Sequence, residues 1–158
     1  MIDYHNLEKE IIRLLSKKKA KYVVKESRRG RTYTLASSHG NLEVTIGTEW
    51  LGYEYTMAGG YLGRTVGLSE DTDGYELEFN VNVTNEIASE TLAIVEAFVS
   101  RKILKRIESD CLKLAFLLSP NKYLLKTFTP KRKWWKFDSS TTEIVNRNGL
   151  AKSGFKPY

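Results

Sequence analysis

The sequence predicts an α+β fold: an N-terminal helix, a curved antiparallel meander of about six strands, a long helix packed across it, and a basic C-terminal hairpin or extension. Three observations predict it. Residues 85–118 hold no proline and no glycine, and apolar residues recur there at steps of three and four, from Ala88, Leu92 and Val95 on to Leu114 and Leu118. That is the period of a helix with one face on a core. Between residues 21 and 83, short runs alternate apolar and polar residues and are punctuated by glycine, as half-buried strands do. Beyond Pro120 the chain becomes basic and aromatic.

Each element has its local signals. Residues 6–18 form an amphipathic helix with Asn6 as N-cap, Glu8 and Glu10 in its first turns and Leu7, Ile11, Leu14 and Leu15 as its buried stripe. Lys17, Lys18 and Lys19 close it, either complementing the negative end of the helix or holding a ligand. Residues 21–26 and 31–36 flank an Arg28-Arg29-Gly30 turn. Residues 41–48 place Leu42, Val44 and Ile46 on one face and Glu43 and Thr45 on the other; residues 49–57 oppose Tyr53, Tyr55 and Met57 to Glu54 and Thr56. Gly47 and Gly52 inside these runs predict a bulge or bend. A weaker strand follows over 61–66. A clear one spans 75–83, with Tyr75, Leu77, Phe79, Val81 and Val83 inward. Thr84 or Asn85 then caps the long helix, which either runs on to Ser119-Pro120 or breaks at Ser109-Asp110. Residues 123–128 and 133–137 pair as a hairpin. Residues 1–120 are expected to form one domain, with 121–158 a basic aromatic extension docked on it.

The bulk properties narrow the class. A chain of 158 residues with 41% hydrophobic content supports a single core and excludes wholesale disorder. The opening Met-Ile-Asp-Tyr-His has no secretory signal character, and no apolar run spans a bilayer. Cys111 stands alone and cannot form an internal disulfide. These features point to a soluble, reduced, cytoplasmic protein with no membrane contact. Charge is strongly segregated. Residues 1–35 carry ten Lys/Arg against four Asp/Glu, residues 36–100 one against eleven, and residues 101–158 fourteen against four. Such asymmetry indicates contact with a polyanion, or acidic and basic surfaces that meet within or between chains.

Two groups of residues carry the functional expectations. Lys131, Arg132, Lys133, Trp134, Trp135 and Lys136, followed by Phe137, interleave cations with aromatic faces, supplying phosphate neutralisation and base stacking. Arg101, Lys102, Lys105 and Arg106, read as one helix patch, supply further phosphate contacts without sequence readout. Together they predict a non-catalytic nucleic-acid-binding protein, with single strands slightly favoured. The alternative is a protein-interaction module (an inhibitor, immunity or regulatory protein) presenting Glu43, Glu54, Glu76 and Glu78 to a basic partner. A third reading is an enzyme acting through sheet carboxylates and Tyr53, Tyr55 and Tyr61. Its support is thin, since His5 and His39 are the only histidines. No cofactor is implied. The acidic run from Glu70 to Glu78 misses the spacing of a calcium loop, so no metal is implied either.

Overall fold

The computed structural model describes residues 1–37, 40–57, 60–68, 80–108, 111–119, 122–130, 137–146, 150 and 154–157. After a 3-10 turn at Tyr4–Asn6, α1 spans Leu7–Lys17. Its stripe of Leu7, Ile11 and Leu15 is completely buried, each side chain contributing roughly 1.5–3 kcal/mol by leaving water. Asn6 makes no side-chain cap. The side-chain cap belongs to the preceding 3-10 turn, where Asp3 accepts from the His5 amide.

The first sheet is an antiparallel meander of five strands: β1 (Val23–Ser27), β2 (Gly30–Ser37), β3 (Gly40–Gly47), β4 (Trp50–Met57) and β5 (Gly60–Gly67). Alternation sends Tyr33, Leu35, Leu42, Val44, Leu51, Tyr53 and Tyr55 into the core, and leaves Glu43 and Glu54 on the open face. The pairing of β3 with β4 runs without a register shift, so the expected bulge at Gly52 is absent. Glycine is needed there for a different reason. At φ +155° a Cβ on Gly52 would stand 2.0 Å from the Arg64 carbonyl oxygen, a backbone approach that only glycine permits.

The next helix, α2, spans Val81–Val99. Asn80 caps it, its Oδ1 accepting from the amides of Asn82 and Val83 at 3.0 and 3.2 Å. This corrects two expectations. The cap is Asn80 rather than Thr84 or Asn85, and Val81 and Val83 lie in the exposed first turns of a helix instead of ending an inward-facing strand. The remainder of the expected strand, with Glu76 and Glu78, lies outside the described residues. Asn85 and Ser89 serve another purpose. They accept from the amides of Tyr4 and Ile2, each at 2.8 Å, and tie the start of the chain to the helix.

The largest correction concerns residues 103–108 and 111–118, which are strand and not helix. After a turn, β6 (Ile103–Glu108) pairs with β7 (Cys111–Ser119), β7 with β8 (Lys122–Pro130) and β8 with β9 (Phe137–Asn146). With β10 (Lys156–Pro157) against β6, they make a second five-stranded antiparallel sheet in the order β10-β6-β7-β8-β9. The partner of β8 is therefore 137–146 and not 133–137. The physical reason lies in β7, which is buried on both faces. Leu114 and Phe116 enter the main core, while Ala115 packs with Leu125 and Leu150 on the other side. A strand covered on both sides reads as a continuous apolar run without alternation.

Helix α2 packs on β3, β4 and β5 of the first sheet and on β7 of the second, and β5 touches β9. Its buried residues Thr84, Ile87, Ala88, Thr91, Ile94, Val95 and Ala97 occupy about half its circumference, as a helix placed against two sheets requires. No described helix is long and apolar enough to cross a membrane.

Candidate functional site

Two charge clusters stand out, one inside the molecule and one at its surface. The inner one centres on Glu90, on the buried side of α2, whose side chain is only 8% exposed. Tyr53 from β4 donates a hydrogen bond to Glu90 Oε1. Arg64 Nη1 from β5 lies 2.5 Å from Glu90 Oε2. Lys126 Nζ from β8, itself 1% exposed, lies 3.1 Å from Oε1. Arg64 also reaches Glu86 at 3.3 Å. Three strands, drawn from both sheets, thus meet at one carboxylate of α2. Burial would raise the Glu90 carboxyl, but the Tyr53 hydrogen bond and the charges of Lys126 and Arg64 outweigh it and hold the pKa below the usual value. Burial pushes the Tyr53 hydroxyl far up, aided by the Glu90 charge. It lowers Lys126 despite its anionic neighbour. With three donors on one carboxylate, this node has the satisfied geometry of a structural cross-link.

The outer cluster lines a cleft of about 520 Å³ between the C-terminal ends of α1 and α2. Lys18, Lys19, Lys21 and Arg101 surround it, all exposed, over an apolar floor that includes Leu35, Tyr55, Phe98 and Ile103. Tyr55 and Phe98 meet edge-on with centroids 5.7 Å apart. No described carboxylate lines the cleft, and none of the four cations forms a salt bridge with a described residue.

The two helices end alike. In α1 the amides of Lys19 and Ala20 close onto the carbonyls of Ser16 and Leu15; in α2 those of Arg101 and Lys102 close onto Phe98 and Ala97. Both are Schellman motifs, whose left-handed position usually belongs to glycine. Here it holds Lys19 at φ +50° and Arg101 at φ +54°, the two non-glycine residues with positive φ among those described. Each side chain costs roughly 1–2 kcal/mol in that conformation. Ser100 Oγ, buried without a hydrogen-bond partner among the described residues, lies in the same turn as Arg101.

The structure scatters the expected helix patch. Arg101 and Lys102 sit in the turn after α2, and Lys105 and Arg106 are consecutive on β6, so they project from opposite faces of the second sheet. Of the four, Arg101 lines the cleft. Lys131, Arg132, Lys133, Trp134, Trp135 and Lys136 lie outside the described residues. Glu43 and Glu54 are brought together, directly opposite each other across β3 and β4. At the Arg28-Arg29 hairpin tip, Arg29 comes within 3.9 Å of Glu49. Arg31 is engaged by Glu8 at 2.8 Å and Glu26 at 3.0 Å. Tyr33 joins that group, its hydroxyl pushed up to about 12 by burial and by its hydrogen bond to Glu8.

Sequence reasoning left the purpose of Lys18 and Lys19 open and missed Lys21 as a partner of Arg101. One local signal was present: both helices lack glycine or asparagine at the position where the chain must turn left-handed. No family model, curated protein or solved structure matches the chain.

Proposed function

We propose that the chain is a non-catalytic nucleic-acid-binding protein that holds the phosphate backbone with surface cations and favours single strands. The observation that carries this reading is the cleft: four cations from two separated segments converge over an apolar floor with no described carboxylate among them. Phosphate is the common polyanionic group such an arrangement neutralises, and release of its counterions supplies the affinity. A cleft of about 520 Å³ is of ligand-pocket size, in the range of roughly 300–1,000 Å³. It suits an unstacked base, which a single strand offers and a duplex does not. Lys102, next to Arg101 in the chain, is also exposed, and residues 131–136, with their two tryptophans, are proposed to contribute further cations and stacking faces. A non-catalytic role is supported by Glu90, the described buried carboxylate, whose oxygens are already occupied by three donors.

The test is fluorescence anisotropy of labelled single-stranded DNA, duplex DNA and RNA at two salt concentrations. Single strands should bind most tightly and weaken steeply with salt. Absence of binding at low salt would refute the reading, because a site of this charge binds non-specifically there.

A second reading has its own observation. Glu43 and Glu54 are exposed and directly opposed, a like-charge pair that costs stability on a sheet unless a cation covers it. That favours a basic protein partner on this face.

A further inference from the structure

We infer that the cleft is a nucleotide-sized site in which Lys19 and Arg101 are the phosphate ligands and the apolar floor takes the base. This rests on the nucleic-acid reading and assigns it residues. The two side chains come from opposite halves of the sequence, yet they share one backbone state, one motif position and one cleft. At both positions glycine would satisfy the turn without strain. What glycine lacks is the charge. Strain retained twice, at the same place, beside the same cavity, identifies a site where the side chain is worth more than the backbone comfort it forfeits.

The competing explanation is that each cation complements the negative end of its own helix. That explanation is weakened by the turn geometry. The carbonyls of Leu15, Ser16, Ala97 and Phe98 already accept amide hydrogen bonds, so these four need no help from the side chains. Neither does that account explain why both face an apolar floor. Leu35, Tyr55 and Ile103 form its buried base and half-buried Phe98 stands beside them. A flat ring laid on that surface, with its phosphates between Lys19 and Arg101, would use both the apolar and the charged parts of the cleft.

The experiment compares the full chain with K19G/R101G and K19R/R101K, using a short labelled oligothymidylate as probe and thermal melting as the fold control. The glycine variant should melt at the same or a higher temperature. It should bind about tenfold more weakly, with its salt slope reduced by about 1.4, the equivalent of two single-strand phosphate contacts. The charge-keeping variant should bind within about threefold of the parent chain. A glycine variant that binds like the parent overturns the site while leaving the nucleic-acid reading intact. A parent chain that binds no oligothymidylate refutes that reading itself. A lower melting temperature in the glycine variant, or an equal loss in K19R/R101K, also overturns the assignment.

Discussion

The Glu90 node and the basic cleft are built from the same kinds of side chain and differ in what surrounds them. Inside, one carboxylate receives Tyr53, Arg64 and Lys126, and each charge has an opposite within about hydrogen-bond distance. Outside, Lys18, Lys19, Lys21 and Arg101 share a cavity with no described acid. A cation that is desolvated must be paired where it stands, because the cost of leaving it unpaired is several kcal/mol. An exposed cation carries no such obligation and stays available for an anion arriving from solution. Charge content alone therefore does not distinguish structure from recognition. Pairing does.

The contrast can be broken most severely at its inner end. Glu90→Gln would take the carboxylate charge away from Lys126, which is 1% exposed, and should cost about 3–5 kcal/mol in urea unfolding. A loss below about 1 kcal/mol would show that the node is solvated, like an exposed pair. The same dependence should appear in acid. Glu90 has a lowered folded pKa, so its stabilisation is complete above the ordinary carboxylate value and disappears as pH falls through the lowered one. Lys126, also lowered, acts in the opposite sense: its contribution improves as pH rises through its folded value toward that of a free lysine. Acid should thus unfold the parent chain more steeply than the Glu90→Gln chain; parallel pH profiles would remove Glu90 from the acid transition. The smallest effect is expected at the outer end. Lys18→Gln and Lys21→Gln should change stability by less than about 0.5 kcal/mol. They should nonetheless lower the salt dependence of oligonucleotide binding by about 0.7 per lost contact. An unchanged slope would confine the phosphate contacts of the cleft to Lys19 and Arg101.

Much of the architecture was legible because it is local. The α1 stripe, the strand alternation of residues 41–57 and the Arg28-Arg29 turn follow from neighbouring residues, and the structure keeps them. The second sheet was not legible for a specific reason. Ile103, Ile107, Leu114 and Leu118 fall at spacings compatible with a helical stripe, and burial of β7 on both faces erased the alternation that would have contradicted it. Ser109-Asp110 was visible as a break but equally suits a helix cap and a hairpin turn. Glu90 did not stand out because its partners come from β4, β5 and β8, none near it in sequence. The cleft was half legible: a lysine cluster at the end of α1 is visible in the sequence, whereas its meeting with Arg101 is a tertiary fact.

The hydrogen bonds from Ile2 and Tyr4 to Ser89 and Asn85 have a kinetic consequence. They join residues 87 and 81 positions apart, so their loop-closure entropy must be met before any stabilisation is returned. The hairpins of the first sheet, by contrast, close over a few residues and can form early. During synthesis the first helix can meet β2 early, through the contacts of Glu8 with Arg31 and Tyr33, but its contacts with α2 wait until that helix has emerged. The part of the α1 stripe that faces α2 is therefore covered late, and refolding should end with the closing of these two helices on each other.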